Sequence, residues 1–167
     1  RADVPLPKRP ESLNGASRDY TNDDIVWVAS NFDIRGPIRV APFPGRGNIN
    51  LHTYEVQAGG KPFLLQKVNS DVFKVPYRVM SSMMASLEAQ TAAKPGHASA
   101  GDSEPIELIP TRDGQPYLDL TDEHGWSVWR MMVRISDSVC YKSLSEASDR
   151  REQLRLAEQV GRGLAIY

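Results

Sequence analysis

Two stretches decide how this chain is read: Phe43-Pro44-Gly45-Arg46-Gly47-Asn48-Ile49-Asn50 and, a little further on, Phe63-Leu64-Leu65-Gln66-Lys67-Val68. Together they predict a strand, a tight turn, a second strand, a short hairpin and a third strand. Gly45 and Gly47 let the backbone enter conformations closed to other residues and approach a ligand closely. Backbone N–H groups in such a turn can cradle an anion such as phosphate. The third strand ends on one polar and one cationic side chain, Gln66 and Lys67, where a phosphate would find a partner. Gly-x-Gly turns more often simply join two strands, so the turn alone does not assign a nucleotide site.

Working outward, residues 38–43 form the first strand, with Pro42 limiting its pairing to an edge or an end. Residues 51–56 alternate: Leu51, Thr53 and Glu55 on one face, His52, Tyr54 and Val56 on the other. Ala58-Gly59-Gly60-Lys61 is a hairpin turn, and residues 62–68 form the third strand. Upstream, Thr21 with Asp24 makes a capping box, and Ile25, Val28, Ala29 and Phe32 repeat on one helical face. Gly36-Pro37 is the expected stop. Downstream, Pro76 opens a helix that carries Val79, Met80, Met83, Met84, Leu87 and Ala92 to about residue 93. The methionines read as gap-filling core residues. After a polar loop over residues 94–105, strands follow at 106–111, 117–120 and 126–135. On the last of these, Trp126, Val128, Arg130, Met132 and Arg134 share a face. A final helix begins at Ser143 or Ser145 and buries Ala147, Leu154, Leu156, Ala157, Val160, Leu164 and Ala165, with Glu146 at its positive end. Residues 1–20 read as an irregular arm.

The predicted fold is α+β: an antiparallel sheet of five or six strands with a helix after the third. The organisation is an arm at 1–20, a lobe at 21–145, and a helix at 146–167 that leads toward a second lobe. The chain has 167 residues, with 20 basic and 21 acidic side chains. That balance gives no bulk drive toward nucleic acid or an anionic membrane. No apolar run approaches the roughly 20 residues of a membrane span. The single cysteine, Cys140, excludes an internal disulfide and reads as a packed residue; this fits a reducing, cytoplasmic setting. The three histidines, His52, His97 and His124, are scattered, and zinc-ligand spacing is absent.

The order of strand, glycine turn, strand, lysine-bearing strand, helix and further strands resembles the small lobe of protein-kinase-like folds. The chain is similar, more narrowly, to the aminoglycoside phosphotransferase family and to bacterial sugar kinases of the N-acetylhexosamine 1-kinase kind within it. The matching words are residues 47–54 (Gly-Asn-Ile-Asn-Leu-His-Thr-Tyr), 64–69 (Leu-Leu-Gln-Lys-Val-Asn) and 72–76 (Val-Phe-Lys-Val-Pro). Farther on come Asp113-Gly114-Gln115-Pro116-Tyr117, Trp129-Arg130 and Glu158-Gln159-Val160-Gly161-Arg162. In order, they span residues 33–167.

The resemblance implies ATP-dependent phosphoryl transfer to a small hydroxyl compound such as an amino sugar, a reaction that rests on positioning and charge neutralisation. It implies that Gly45, Arg46, Gly47 and Asn48 cover the triphosphate. A cation on the third strand would hold the phosphate oxygens, Glu88 on the following helix would orient that cation, and the strand ending near Met132–Ile135 would become the edge to which adenine hydrogen-bonds. For the cation two pairings stay open. Leu64 with Gln66 fits the family spacing; Leu65 with Lys67 fits the chemistry, because an amide carries no charge, and Lys67 is preferred on that ground. The family's catalytic loop, similar to His-Gly-Asp with a later Asn and Asp, has no counterpart after residue 135. A base and the Mg²⁺ ligands are therefore expected in a lobe beyond this sequence, and this stretch alone is expected to be inactive. A different class of function is a stand-alone α+β interaction module, using the last helix and the Trp126–Trp129 strand as a partner surface.

Overall fold

The computed structural model describes residues 5–14, 20–44, 49–50, 52–92, 106–122, 125–136, 141 and 143–165. Two compact units emerge: residues 1–85 with 106–134, and residues 86–105 with 135–167.

The first unit begins with a short 3-10 turn, Glu11–Asn14, and helix α1, Asn22–Ser30. The capping box forms as the sequence dictates: Asp24 N–H donates to Thr21 Oγ1 (3.2 Å), and Thr21 N–H donates to Asp24 Oδ2 (2.7 Å). The helix ends before Gly36-Pro37 because the side chains of Ser30 and Asn31 both turn back to the Trp27 carbonyl (2.7 and 2.8 Å). Phe32 then leaves the helix, buried, to bridge Thr111.

Six antiparallel strands follow: β1 Ile38–Pro42, β2 Thr53–Ala58, β3 Lys61–Lys67, β4 Leu108–Ile109, β5 Leu118–Asp122 and β6 Gly125–Val133. Helix α2, Pro76–Ala92, lies between β3 and β4. The sheet order is β1-β2-β3-β6-β4, and β5 also pairs with β6. β4 and β5 thus share the far edge of β6, opposite Met131–Met132 and Gly125–Trp129 respectively. Strand β4 is shorter than its apolar run suggested, because Pro110 cannot donate to a ladder. The α+β class, the antiparallel sheet and the helix after the third strand stand as the sequence indicated.

The Gly59–Gly60 hairpin shows why glycine is required there. Both residues have positive φ (+56° and +76°), the backbone of a two-residue hairpin with the right twist. A side chain on Gly59 would also meet the Arg35 carbonyl oxygen at 2.7 Å.

The two faces of the sheet have different fates. On one, Val56, Ala58, Phe63, Leu65, Ile109, Trp129 and Met131 pack with Ile25, Val28, Ala29 and Phe32 of α1 and its exit. Each buried Val, Leu, Ile, Phe or Met side chain among them contributes about 1.5–3 kcal/mol. Leu13 joins this core, and Trp27 Nε1 donates to the Pro7 carbonyl (2.9 Å). Among the described residues the arm is therefore docked at scattered points, Leu13, Tyr20 and the Pro7 carbonyl, which lack the periodicity by which a helix or strand is recognised. On the other face, Met80 of α2 packs with Val68 and Val128, flanked by Phe73, Tyr77, Val79, Met83, Leu108 and Tyr117.

In the second unit, helix α3 spans Arg150–Ala165, later than the serines suggested. Ser143 instead caps a 3-10 turn at Leu144–Glu146. The α3 cap is Asp149, whose Oδ1 accepts from Glu152 N–H (2.8 Å), while Glu152 Oε2 takes the Ser148 N–H (2.6 Å) and hydroxyl (2.7 Å). Glu152, not Glu146, is the carboxylate in the first turn of α3. Leu154 and Val160, expected on the buried side, are 57% and 62% exposed.

Candidate functional site

Gly45, Arg46, Gly47 and Asn48, together with Cys140, His97, His124 and the loop over residues 94–105, lie outside the described residues. The chain on either side of the glycine stretch is firmly anchored. Phe43 N–H donates to the Thr53 carbonyl (2.9 Å). Asn69, just beyond β3, donates to the Ile49 carbonyl through its amide (2.6 Å), and its backbone N–H donates to Asn50 Oδ1 (3.1 Å). The return to β2 is therefore held to the exit of β3, which gives Asn69 in the Leu64–Asn69 word a structural task.

Alternation along β3 sends Gln66 and Lys67 to opposite faces. Leu65 and Lys67 point to the α1 side. Leu65 is fully buried there, and Lys67 Nζ donates to Tyr20 Oη (2.6 Å). Tyr20 meets His52 and Trp129 edge-on, at 5.0 and 5.2 Å between centroids. Lys67 thus closes an aromatic cluster over the core. Leu64 and Gln66 point to the α2 side. The register pairs Leu64 with Met132 and Gln66 with Arg130 on β6, and Glu55 and Thr53 with Leu64 and Gln66 on β2.

This second face holds the candidate site. Gln66 Nε2 donates to Thr53 Oγ1 (3.1 Å), and Thr53 Oγ1 donates to the Asn50 carbonyl (3.0 Å). Gln66 Oε1 accepts from Arg130 Nε (3.1 Å) and Nη2 (2.5 Å), while Arg130 Nη1 lies 3.0 Å from Met83 Sδ of α2. Burial pulls the Arg130 guanidinium below its ordinary pKa, as expected for a cation withdrawn from water, although an arginine keeps its charge. Toward the rim, Arg134 forms an ion pair with Glu55 and lies over the Phe43 ring at 5.6 Å. The arrangement sets an apolar pair, Leu64 and Met132, beside a hydrogen-bonded cationic cluster.

The backbone at Met132 is not the free edge expected for adenine. β6 is flanked on both sides at this point, by Leu64 of β3 and Leu108 of β4, so its backbone faces ladder partners. Glu88 is exposed on the last turns of α2, in the second unit. Asp113-Gly114 is a turn held by Thr111, whose Oγ1 accepts from Gln115 N–H (2.8 Å). Glu158 pairs with Arg162 on the exposed face of α3 (2.9 Å). Trp129, expected at a partner surface, is fully buried, and Trp126 stacks on Tyr77 at 4.6 Å. Arg130 was not among the expected site residues. Its signal in the sequence was a cation in the middle of an otherwise apolar strand face.

Among the described residues, no group of three or more His, Cys, Asp or Glu is placed to hold a metal ion, and no helix is long and apolar enough to cross a membrane. No known protein-family model matches this chain.

Proposed function

We propose that this chain supplies the nucleotide-binding lobe of an ATP-dependent phosphotransferase of the protein-kinase-like kind, acting on a small hydroxyl compound such as an amino sugar. The observation that carries the reading is the β3–β6 register, which sets Leu64 and Met132 beside Gln66 and Arg130 on the α2 side of the sheet. An adenine ring needs an apolar platform, and its phosphates need donors and positive charge within a few ångströms. The element order agrees with the resemblance: three antiparallel strands, a helix, then three strands returning beside the third. The base and the Mg²⁺ ligands belong, in this reading, to a second lobe.

The test is phosphoryl transfer from γ-labelled ATP to a panel of amino sugars and simple alcohols, using the longest natural chain that contains this sequence. Transfer to at least one acceptor is expected. Its absence across the panel, with intact fold, would remove the kinase reading. The exposure of Leu154 and Val160 on α3 favours a second reading, an interaction module; concentration-dependent association that is lost on Leu154→Glu, with no response to nucleotide, would favour it over the first.

A further inference from the structure

Arg130 differs from the other paired arginines described here. Arg134, Arg155 and Arg162 each face a glutamate. The partners of Arg130 are an amide oxygen and a thioether sulfur, both neutral. It is half-buried, and among the described residues no carboxylate is bonded to it. A cation taken from water without a counter-charge is costly, and a well-packed apolar residue in its place usually serves stability better. The placement therefore makes sense for an anion that comes from outside.

The geometry also narrows the anion to one that offers two oxygens to a planar fork, a phosphate or a carboxylate, of which the nucleotide reading above selects phosphate. Gln66 Oε1 receives Nε–H and one Nη2–H, so it fixes the plane of the guanidinium. A guanidinium has five N–H groups. With Nη1 directed at Met83 by one of its hydrogens, one N–H on each terminal nitrogen is left over. Two N–H groups on one rigid plane suit the oxygens of a phosphate. The neutral residue at position 66 also becomes intelligible. The register places it directly opposite Arg130, where a lysine would set two like charges side by side.

We infer that Arg130 is the cation that holds the polyphosphate of the bound nucleotide, and that Gln66 is the positioning residue that aims it. The inference rests on the nucleotide reading above and adds to it the group that neutralises charge.

The experiment measures binding of MgATP, adenosine and inorganic tripolyphosphate to the full chain and to Arg130→Gln by calorimetry. Arg130→Gln should weaken MgATP roughly 10- to 100-fold, the loss expected for one or two charge-assisted hydrogen bonds, and should change adenosine less than about twofold. Equal losses for adenosine and MgATP, or no loss for either, would overturn the assignment while leaving a nucleotide site in place. A parent chain that binds neither adenosine nor MgATP overturns the nucleotide reading itself, and the assignment with it. Gln66→Glu should mimic Arg130→Gln on MgATP without lowering the melting temperature; unchanged MgATP affinity would remove Gln66 from the positioning role. A measurement on the unaltered chain gives a second check. Phenylglyoxal modification at Arg130, mapped by mass spectrometry, should be slowed several-fold by MgATP and tripolyphosphate but not by adenosine; no protection by either phosphate compound contradicts the inference.

Discussion

Replacing Gln66 by leucine, a side chain one heavy atom smaller, removes the amide from the middle of a polar chain that links three strands. Gln66 Oε1 accepts two N–H groups of Arg130, and its Nε2 supplies one hydrogen to buried Thr53. Hydrogen bonds to a charged group contribute about 1.5–3 kcal/mol, and a neutral one about 1 kcal/mol. Part of this is recovered, because half-buried Arg130 can turn toward water and Thr53 Oγ1 keeps its bond to the Asn50 carbonyl. Leucine also adds apolar contact beside Leu64 and Met132. The net expectation is a loss of about 2–3 kcal/mol, or roughly 4–12 °C in melting temperature for a chain of this size. Urea unfolding followed by tryptophan fluorescence measures it well, since Trp129 is buried on the neighbouring strand. A loss below about 0.5 kcal/mol, in the range of an ordinary surface substitution, would show that Gln66 does not hold Arg130, and the polar cluster would have to be redrawn.

Other expectations follow from single features. Lys67→Met should leave MgATP affinity within about twofold, because Lys67 faces Tyr20 on the α1 side; a tenfold loss by calorimetry would restore it as the phosphate cation. Gly59→Ala should destabilise by more than Gly60→Ala, since both have positive φ but only the first drives a methyl group against the Arg35 carbonyl; the second should cost about 1 kcal/mol, and equal melting curves for the two would refute the close approach. Glu152 is lowered from 4.5 to about 2, first by the Ser148 hydroxyl and then by the Ser148 N–H and the Tyr141 hydroxyl. A depressed carboxylate stabilises the folded form above its unfolded value and loses that contribution as pH falls through the folded value. The start of α3 should therefore stay ordered down to pH 4.5 and loosen toward pH 2, as read from the Glu152 carboxyl carbon shift; a midpoint near 4.5 contradicts the cap.

Chemistry confined to a few neighbouring residues was legible in the sequence. The Thr21–Asp24 box, the Gly59–Gly60 hairpin, the alternation on β2 and β6 and the proline start of α2 each depend on groups within about one turn of each other. What depended on long-range pairing was not legible. Leu13 reaches the core as a lone apolar residue, and Trp129 is hidden only because α1 and Tyr20 cover that side of the sheet. The start of α3 was displaced because a serine-rich run offers several caps, and Asp149 with Glu152 makes the one used by the helix. The choice between Gln66 and Lys67 turned on which face each strand presents to which helix. Residue spacing fixes only that the two are opposite. Arg130 gained meaning from its register partner 64 residues away in the chain.

The most direct measurement of the central claim is a methyl NMR titration of the chain with MgATP, using labelled leucine and methionine. Leu64 and Met132 lie on the α2 face, with Leu65 and Met131 immediately beside them on the α1 face. The account predicts saturable shifts at Leu64 and Met132, with Leu65 and Met131 nearly unmoved. Shifts centred on Leu65 and Met131, or none at any of the four, would contradict it.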